Sequence, residues 1–459
     1  MALHDLAIPP TSPLVALVDI LKRSLPDRWR RARGRWTPTA TMVALVHLVV
    51  SPKGYRPLCH HMGCELGNLF GDDRLHASAF AQARQRLGAK PELLADAFAA
   101  VYQQAATARR TRSMTYGAYT VIAVDGTHVP LQRTPDLLRY FGVPRNQHGA
   151  SAAPQALVSV VWDVGANQPV DVAVAPSISG ELTLSKTLLG RLPVNAVVVA
   201  DRLYATRHVI ADLITSRQHL LIRVPTGSNA MQEVQDFLAT GQVDAEVELG
   251  CFSRIQPERY ARHERVRVRL IRGHGDGQVY ITSLTDRQEH PREALLALYT
   301  TRWRIETAFR ELKIWTNLTT IRARRHQLVA QEIVAILIYA LLLSELDAMA
   351  LEAYREEIAR EHQLRPTTAK PHGGKKPLQL RQNSVRFNRA VAITAIPGII
   401  IAAIAGDPQK LQKTIAYAID SLWAYRARVK PGRSYPRVSS RPHSKWNRLR
   451  ERTSLTEHH

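Results

Sequence analysis

The chain has 459 residues, 45% of them hydrophobic, with 62 Lys and Arg against 39 Asp and Glu and a formal charge of +23. That length accommodates two or three domains with sizeable cores, and that hydrophobic content excludes a disordered chain. The charge excess favours a polyanionic partner (DNA, RNA or an anionic membrane), and three cysteines exclude a disulfide framework and indicate a reducing compartment.

The opening MALHDLAIPPTSP has early prolines and no basic region before an apolar core, so no signal peptide is expected. Residues 13–110 read as helical, with apolar residues at helical spacing in Pro13–Leu25, Thr39–Val50 and Pro91–Ala108. Arg28, Arg30, Arg31, Arg33 and Arg35 cluster around Trp29 and before Trp36, as a DNA-backbone contact or as a solvated helix face. Cys59, His60, His61 and Cys64 crowd together, but no second Cys or His pair follows nearby. Core cysteines with surface histidines are therefore expected, and zinc is not.

From Tyr119 the texture changes to strands. Tyr119–Val124 ends at Asp125-Gly126-Thr127, a second strand is expected at His128–Gln132, and two more at Ala156–Val164 and Val170–Val174. Leu182–Leu189 reads as a helix. Val194–Ala200 is a continuous apolar run, as in a strand buried on both faces, and it ends at Asp201. A helix (Ala205–Ser216) and a strand (His219–Val224) follow, which predicts an α/β core with a mixed central sheet. Between residues 225 and 286 the helical pattern vanishes. Val243–Phe252, Arg265–Ile271 and Gln278–Leu284 predict a β insertion there.

Helices are predicted to resume at Arg292–Trp315 and Gln331–Glu361, followed by a Pro- and Gly-rich linker over Arg365–Lys376. From Arg365 onward 19 Lys and Arg face 4 Asp and Glu, so this region holds most of the excess charge. The longest apolar run, Ile333–Leu343, is too short to span a bilayer, and Ala390–Ala405 is broken by Pro397 and Gly398. No membrane partner is expected.

Three carboxylates stand out by position: Asp125 and Asp201 at strand ends, and Glu306 in mid-helix. Carboxylates at the ends of adjacent strands can face one cleft, and hard oxygen ligands of this kind suit Mg²⁺. Tyr299, Arg302, Glu306 and Lys313 are spaced three, four and seven residues apart, which places them on one helical stripe beside the apolar stripe of Leu298, Ile305, Phe309 and Leu312. The plainer readings are turn or cap residues for the aspartates and an ion-pair ladder with Arg302 and Arg310 for Glu306.

The spacing Tyr299-x2-Arg302-x3-Glu306-x6-Lys313, with Arg302-Trp303-Arg304-Ile305-Glu306 inside it, resembles the signature of the IS-four family of bacterial insertion-sequence transposases. These are DDE transposases with an RNase H-like core. Ile122-Ala-Val-Asp125-Gly-Thr resembles the family's first acidic motif and Val198-Val-Ala-Asp201-Arg-Leu-Tyr204 its second. Phe80–Gly88 resembles its helical N-terminal region, and Phe141-Gly142, Gly180-Glu181 and Gln331-Glu332 are looser family-like residues.

The resemblance implies an RNase H-like mixed-sheet core interrupted by a β insertion, with a helical N-terminal domain and a basic, largely helical C-terminal region. The implied segments are 1–112, 113–224, 225–286, 287–363 and 364–459. It further implies that Asp125, Asp201 and Glu306 form a triad for two Mg²⁺ ions, with Mn²⁺ able to substitute. Tyr299, Arg302 and Lys313 become DNA contacts, joined by Arg310, Arg223 and Tyr280. The implied partners are double-stranded DNA (terminal inverted repeats and target) and a second copy in a synaptic dimer, in the bacterial cytoplasm at the nucleoid. Arg426, Arg428, Lys430, Arg433 and Arg437 are expected to hold DNA outside the cleft. Some relatives stack a flipped base on a tryptophan in the insertion during hairpin cleavage. No Trp lies between Trp162 and Trp303 here, and Tyr280 is the aromatic nearest the helix. The competing readings are a non-catalytic DNA-binding protein, a nuclease with the same core, and a glycosidase-like carboxylate-pair hydrolase.

Overall fold

A computed structural model describes residues 36–50, 54–70, 75–109, 115–146, 149–251, 264–274, 277–316, 318–355, 357 and 385–428, with a few isolated positions between 16 and 25. The cluster from Arg28 to Arg35, the linker at 365–376, and Lys430, Arg433 and Arg437 lie outside these residues.

Among the described residues the fold opens with α1 (Pro38–Val50), α2 (Tyr55–Phe70), α3 (Ala77–Gly88) and α4 (Pro91–Arg109). Cys59 on α2 is buried, but Cys64 is exposed, 3.8 Å from His60 one turn back, so only the first is a core cysteine. No group of three His, Cys, Asp or Glu among the described residues is placed to hold a metal ion.

The central sheet is built around β2 (Tyr119–Pro130), whose start pairs with β1 (Thr115–Tyr116). Two strands separated by a turn at Asp125-Gly126 were expected; a single strand is present. Gly126 and Thr127 keep their pairing with Ser159 and Val158 of β5 (Gln155–Asp163), so the antiparallel ladder overrides the local turn signal. After β2 come α5 (Pro135–Phe141), the small hairpin of β3 (Arg145–Asn146) and β4 (Gly149–Ala150), then β5 and β6 (Gln168–Pro176). The chain continues through α6 (Glu181–Leu189), β7 (Ala196–Ala200), α7 (Arg207–Thr215) and β8 (His219–Val224). Every residue of β7 is buried, as its unbroken apolar run requires.

The segment from 225 to 286 holds α8 (Gln232–Ala239) as well as β9 (Asp244–Gly250), β10 (Arg265–Arg272) and β11 (Val279–Thr282). α8 runs against the expectation of a helix-free insertion. It is about two turns long and buries only Val234 and Phe237, too little for a clear helical period. The strands continue the core sheet, whose order is β6-β5-β2-β7-β8-β11-β10-β9, nine strands with β1. β2, β7 and β8 are parallel, and the strands flanking them pair antiparallel. The edge strand β9 carries Glu246 and Glu248, charges that discourage further pairing at that edge.

The helix expected over Arg292–Trp315 is divided into α9 (Arg292–Thr300) and α10 (Trp303–Trp315). Thr300 and Thr301 turn their hydroxyls back onto the carbonyls of Ala297 and Leu298, and the amides of Thr301 and Arg302 bond three residues back rather than four. This tightens the turn where Tyr299 passes to Arg302.

α11 (His326–Ala353) is long and apolar enough to cross a membrane, yet 83% of its most apolar window is buried inside the fold. It packs against α1, α3 and α4 on one side and α12 (Arg389–Ala405) and α13 (Pro408–Ala424) on another, as a core helix that is apolar all round. The short pair β12 (Val385–Arg386) and β13 (Ala427–Arg428) closes the C-terminal part. Pro397 lies inside α12 and cannot donate to the carbonyl of Ile393; the Tyr339 hydroxyl of α11 donates to that carbonyl instead, at 2.6 Å.

Candidate active site

β2 and β7 run in parallel register from Thr120 opposite Ala196 to Ala123 opposite Val199. The same offset carried two steps on sets Asp125 beside Asp201, on strands spaced roughly 4.8 Å apart. Asp125 therefore lies within its strand, and not at a strand end as expected. It stands where the parallel neighbour stops, which opens the sheet beside it. Asp201 leaves β7 as the cap of a 3₁₀ turn, its Oδ1 accepting from the Leu203 amide at 2.8 Å.

Electrostatics tie these groups together. Asp125 is pushed up to about 7, first by burial, then by the Glu181 charge, with Asp201 adding to the same direction. The Gly126 amide, which donates to its Oδ1 at 2.9 Å, and the Arg302 guanidinium pull the other way. Glu181, the first residue of α6, is also raised, first by burial and then by Asp201, against a 2.9 Å hydrogen bond from the Tyr204 hydroxyl. Glu181 is the member of this group to which sequence reasoning assigned no role. Its signal was limited to the Gly180-Glu181 pair, a helix start like many others.

The signature residues come to the same end of the sheet. Lys313 of α10 donates from Nζ to Thr127, on the same face of β2 as Asp125, and burial lowers its pKa against the pull of Asp125. Arg302 is buried over the rings of Trp303 and Tyr299, at 4.9 and 5.9 Å, and its Nη2 pairs with Glu306 at 2.6 Å. Burial works to lower the Arg302 pKa but is outweighed by Tyr299, Glu306 and Asp125, so the net direction is up. Its Nε has no partner among the described residues, which leaves a buried donor open to an anionic oxygen.

Tyr299 is buried with its ring 4.5 Å from that of Tyr280, and burial pushes it up to about 12. Tyr280 thus packs against Tyr299 and presents no open face for stacking. Its strand partner Arg223 is exposed and acts electrostatically on both tyrosines. Arg310 is exposed and reaches Thr307 of its own helix at 3.4 Å. Trp303, which sequence reasoning used only as a flank of the signature, is half exposed beside Arg302.

The donor set can be tested for a divalent cation on these observations. Asp125, Asp201 and Glu181 are hard oxygen donors, and after burial the charges of Glu181 and Asp201 raise Asp125. Glu306 is turned to Arg302, and among the described residues no three carboxylates converge as they stand. Asp125 and Asp201 have the oxygen donors such an ion takes, whereas Glu306 is engaged by Arg302.

Residues 116–342 match the family model described as a transposase DDE domain. The chain is 26% identical over 269 residues to the Escherichia coli transposase InsG for insertion sequence element IS4, a match covering 57% of this chain and 59% of InsG. It is 23% identical over 219 residues to the putative transposase InsZ of the same species, covering 46% of this chain and 70% of InsZ. Among solved structures it is similar to the piggyBac transposase synaptic complex with hairpin DNA, at 10% identity and a TM-score of 0.40 over 92% of this chain and 85% of that one, a likeness too loose to carry an inference. The mixed sheet with helices on its faces fits an RNase H-like core. The transposase DDE domain model thus covers just under half of the chain, and the chain is similar to the bacterial transposase InsG and the putative transposase InsZ.

Proposed function

We propose that the protein is a metal-dependent DNA transposase that binds the terminal inverted repeats of its element, hydrolyses a phosphodiester at each end and joins the freed 3′-hydroxyl to target DNA. The observation that carries this reading is the parallel pairing of β2 and β7 up to Ala123 and Val199, two residues before Asp125 and Asp201, with Arg302 and Lys313 both in electrostatic contact with Asp125. In this reading Asp125, Asp201 and Glu306 hold divalent cations, Mg²⁺ by the hardness of the donors and two in number. Such ions, when bound, activate the attacking oxygen and stabilise the leaving one.

The chain's own residues supply the rest. Arg302 offers a planar fork to a phosphate next to the cut, including the Nε that lacks a partner. Lys313 brings a point charge beside Asp125. The Tyr280–Tyr299 pair fixes the wall on which Arg223 stands, and Arg223 and Arg310 extend the basic surface outward. Basic residues from Arg365 onward hold DNA beyond the cleft, so binding is strongly salt-dependent. The protein acts as a synaptic dimer at nucleoid DNA.

The test uses DNA carrying the inverted repeats that flank the gene, with Mg²⁺, followed for both cut and joined products. Asp201→Ala should abolish joining while leaving end binding intact. Joining by that variant at the wild-type rate sinks the assignment, and cutting without any joined product by the wild type points to a nuclease instead.

A further inference from the structure

Glu181 opens α6 after Gly180, whose φ of 77° is a left-handed conformation suited to glycine. A carboxylate in a first turn is ordinarily explained by the helix dipole. Here it is held by much more. The Tyr204 hydroxyl donates to Oε1 at 2.9 Å, lies 2.8 Å from the Ser185 hydroxyl, and that hydroxyl lies 2.7 Å from Ser159. Ser159, Ser185 and Tyr204 are each no more than 1% exposed. A hydrogen-bonded chain thus runs from β5 through α6 to the turn just after Asp201, and it ends on Glu181. A dipole-stabilised surface glutamate needs none of these partners.

The second observation is the space at Gly126. A Cβ on that residue would lie 2.5 Å from the Glu181 carboxyl carbon and 2.6 Å from its Oε2. The carboxylate fills the place a side chain would take, against the backbone that follows Asp125. It thereby sets a second carboxylate against the Asp125–Gly126 backbone. The Arg302 guanidinium, which acts on Asp125, is already paired with Glu306. A carboxylate seated on the backbone that follows Asp125, with its charge acting on Asp125, favours a cation of more than one charge at that place.

We propose that Glu181 is a positioning residue of this cleft: clamped by Tyr204, it props the Asp125–Gly126 backbone and adds the negative charge with which the cleft takes up a divalent cation. The inference rests on the metal-dependent reading of Asp125 and Asp201.

The experiment is a manganese(II) titration of the full-length, DNA-free protein, followed through the resonance signal of the free ion. Glu181→Gln keeps the size of the side chain and an oxygen to accept from Tyr204, so a merely structural role leaves it unchanged. The expected result is manganese affinity roughly tenfold weaker or more in Glu181→Gln, with a smaller loss in Tyr204→Phe. In the presence of a chelator, Glu181→Gln should melt no lower than the wild type, because a like charge has been removed. Affinity equal to the wild type in Glu181→Gln, alongside loss in Asp125→Asn and Asp201→Asn, overturns the role of Glu181 and leaves the metal reading standing. Affinity unchanged in Asp125→Asn and Asp201→Asn overturns the metal reading itself, and this inference with it. A lower melting point of Glu181→Gln in the chelator assigns it to packing and overturns the inference too.

Discussion

Replacing Arg84 by Met should loosen the seam between the N-terminal helices and α11. Arg84 is fully buried and donates from Nη2 to Glu332 Oε1 at 2.8 Å, from Nε to Gln331 Oε1 at 3.3 Å and from Nη1 to the Tyr55 hydroxyl. Glu332 is 3% exposed, and its other oxygen accepts from the Arg322 amide at 2.7 Å. Methionine fills much of the space but strands the Glu332 charge in a buried site. Breaking a buried pair from one side costs about 3–5 kcal/mol. The seam is tight in other respects, since a Cβ on Gly88 would meet Gln331 Nε2 at 2.8 Å, so little water can enter to relieve the charge. The assay is amide hydrogen exchange resolved by peptide, because a chain of this size need not unfold in one step. The slowest amides of α3 should exchange roughly a hundredfold to a few thousandfold faster, at about 1.4 kcal/mol per decade. Adding Glu332→Gln removes the stranded charge but keeps an acceptor for Arg322, and should recover at least half the loss. Exchange within tenfold of the wild type in the single variant, or no recovery in the double, refutes the reasoning.

Two further outcomes follow from local geometry. Tyr339→Phe leaves the Ile393 carbonyl buried without its donor and should cost about 1–3 kcal/mol, while Tyr339→Phe with Pro397→Ala restores a helical N–H to the same carbonyl and should recover most of it, read as a double-mutant cycle in urea. His47, packed against His61 with ring centroids 4.8 Å apart, is lowered to about 4, first by burial and then by His61. Its folded value lies below the unfolded one near 6.5, so its contribution is present above that pH and is lost as pH falls through 6.5 toward 4, by about 3 kcal/mol at most. His47→Gln should flatten that part of the pH–stability curve, and a curve of unchanged slope contradicts it.

Much of the architecture could be read in the residues because the strong signals were long. β7 is an unbroken apolar run and α11 a long apolar helix, and each folds as its pattern requires. Errors fall where a short local signal meets a tertiary one. Asp125-Gly126 looks like a turn, but β5 supplies partners on both sides of it. α8 buries two large side chains, and two points do not define a period. Thr300-Thr301 divides the signature helix through hydroxyl back-bonding that spacing alone does not reveal. At the site, Asp201 stood out because it follows a buried strand, and Asp125 because it follows the apolar first half of β2. Glu181 was found only through the fold, since what marks it is Tyr204 and Gly126, which lie 23 and 55 positions away in the chain. A side chain whose role depends on what it touches carries no local signature.

The signature stripe has two readings, ion-pair ladder and catalytic edge, and the structure gives a physical reason why one arrangement serves both. Glu306 is about one-third exposed and rests on Arg302 through a single 2.6 Å contact. Pairs of that exposure hold by about 1 kcal/mol or less. Arg302, by contrast, is buried, and its Nε has no partner among the described residues. The unequal burial sets the direction of exchange. A phosphate can satisfy the guanidinium more fully than Glu306 does, because it presents oxygens to two nitrogens at once. Glu306 loses little by letting go, and Asp125, near the same end of the sheet, feels the charges of Glu181 and Asp201 as well as that of Arg302. In the proposed function, then, the ladder is the resting form of the stripe: the arrival of DNA at Arg302 is what releases the third carboxylate, so the cleft is completed only when there is a phosphodiester to cut.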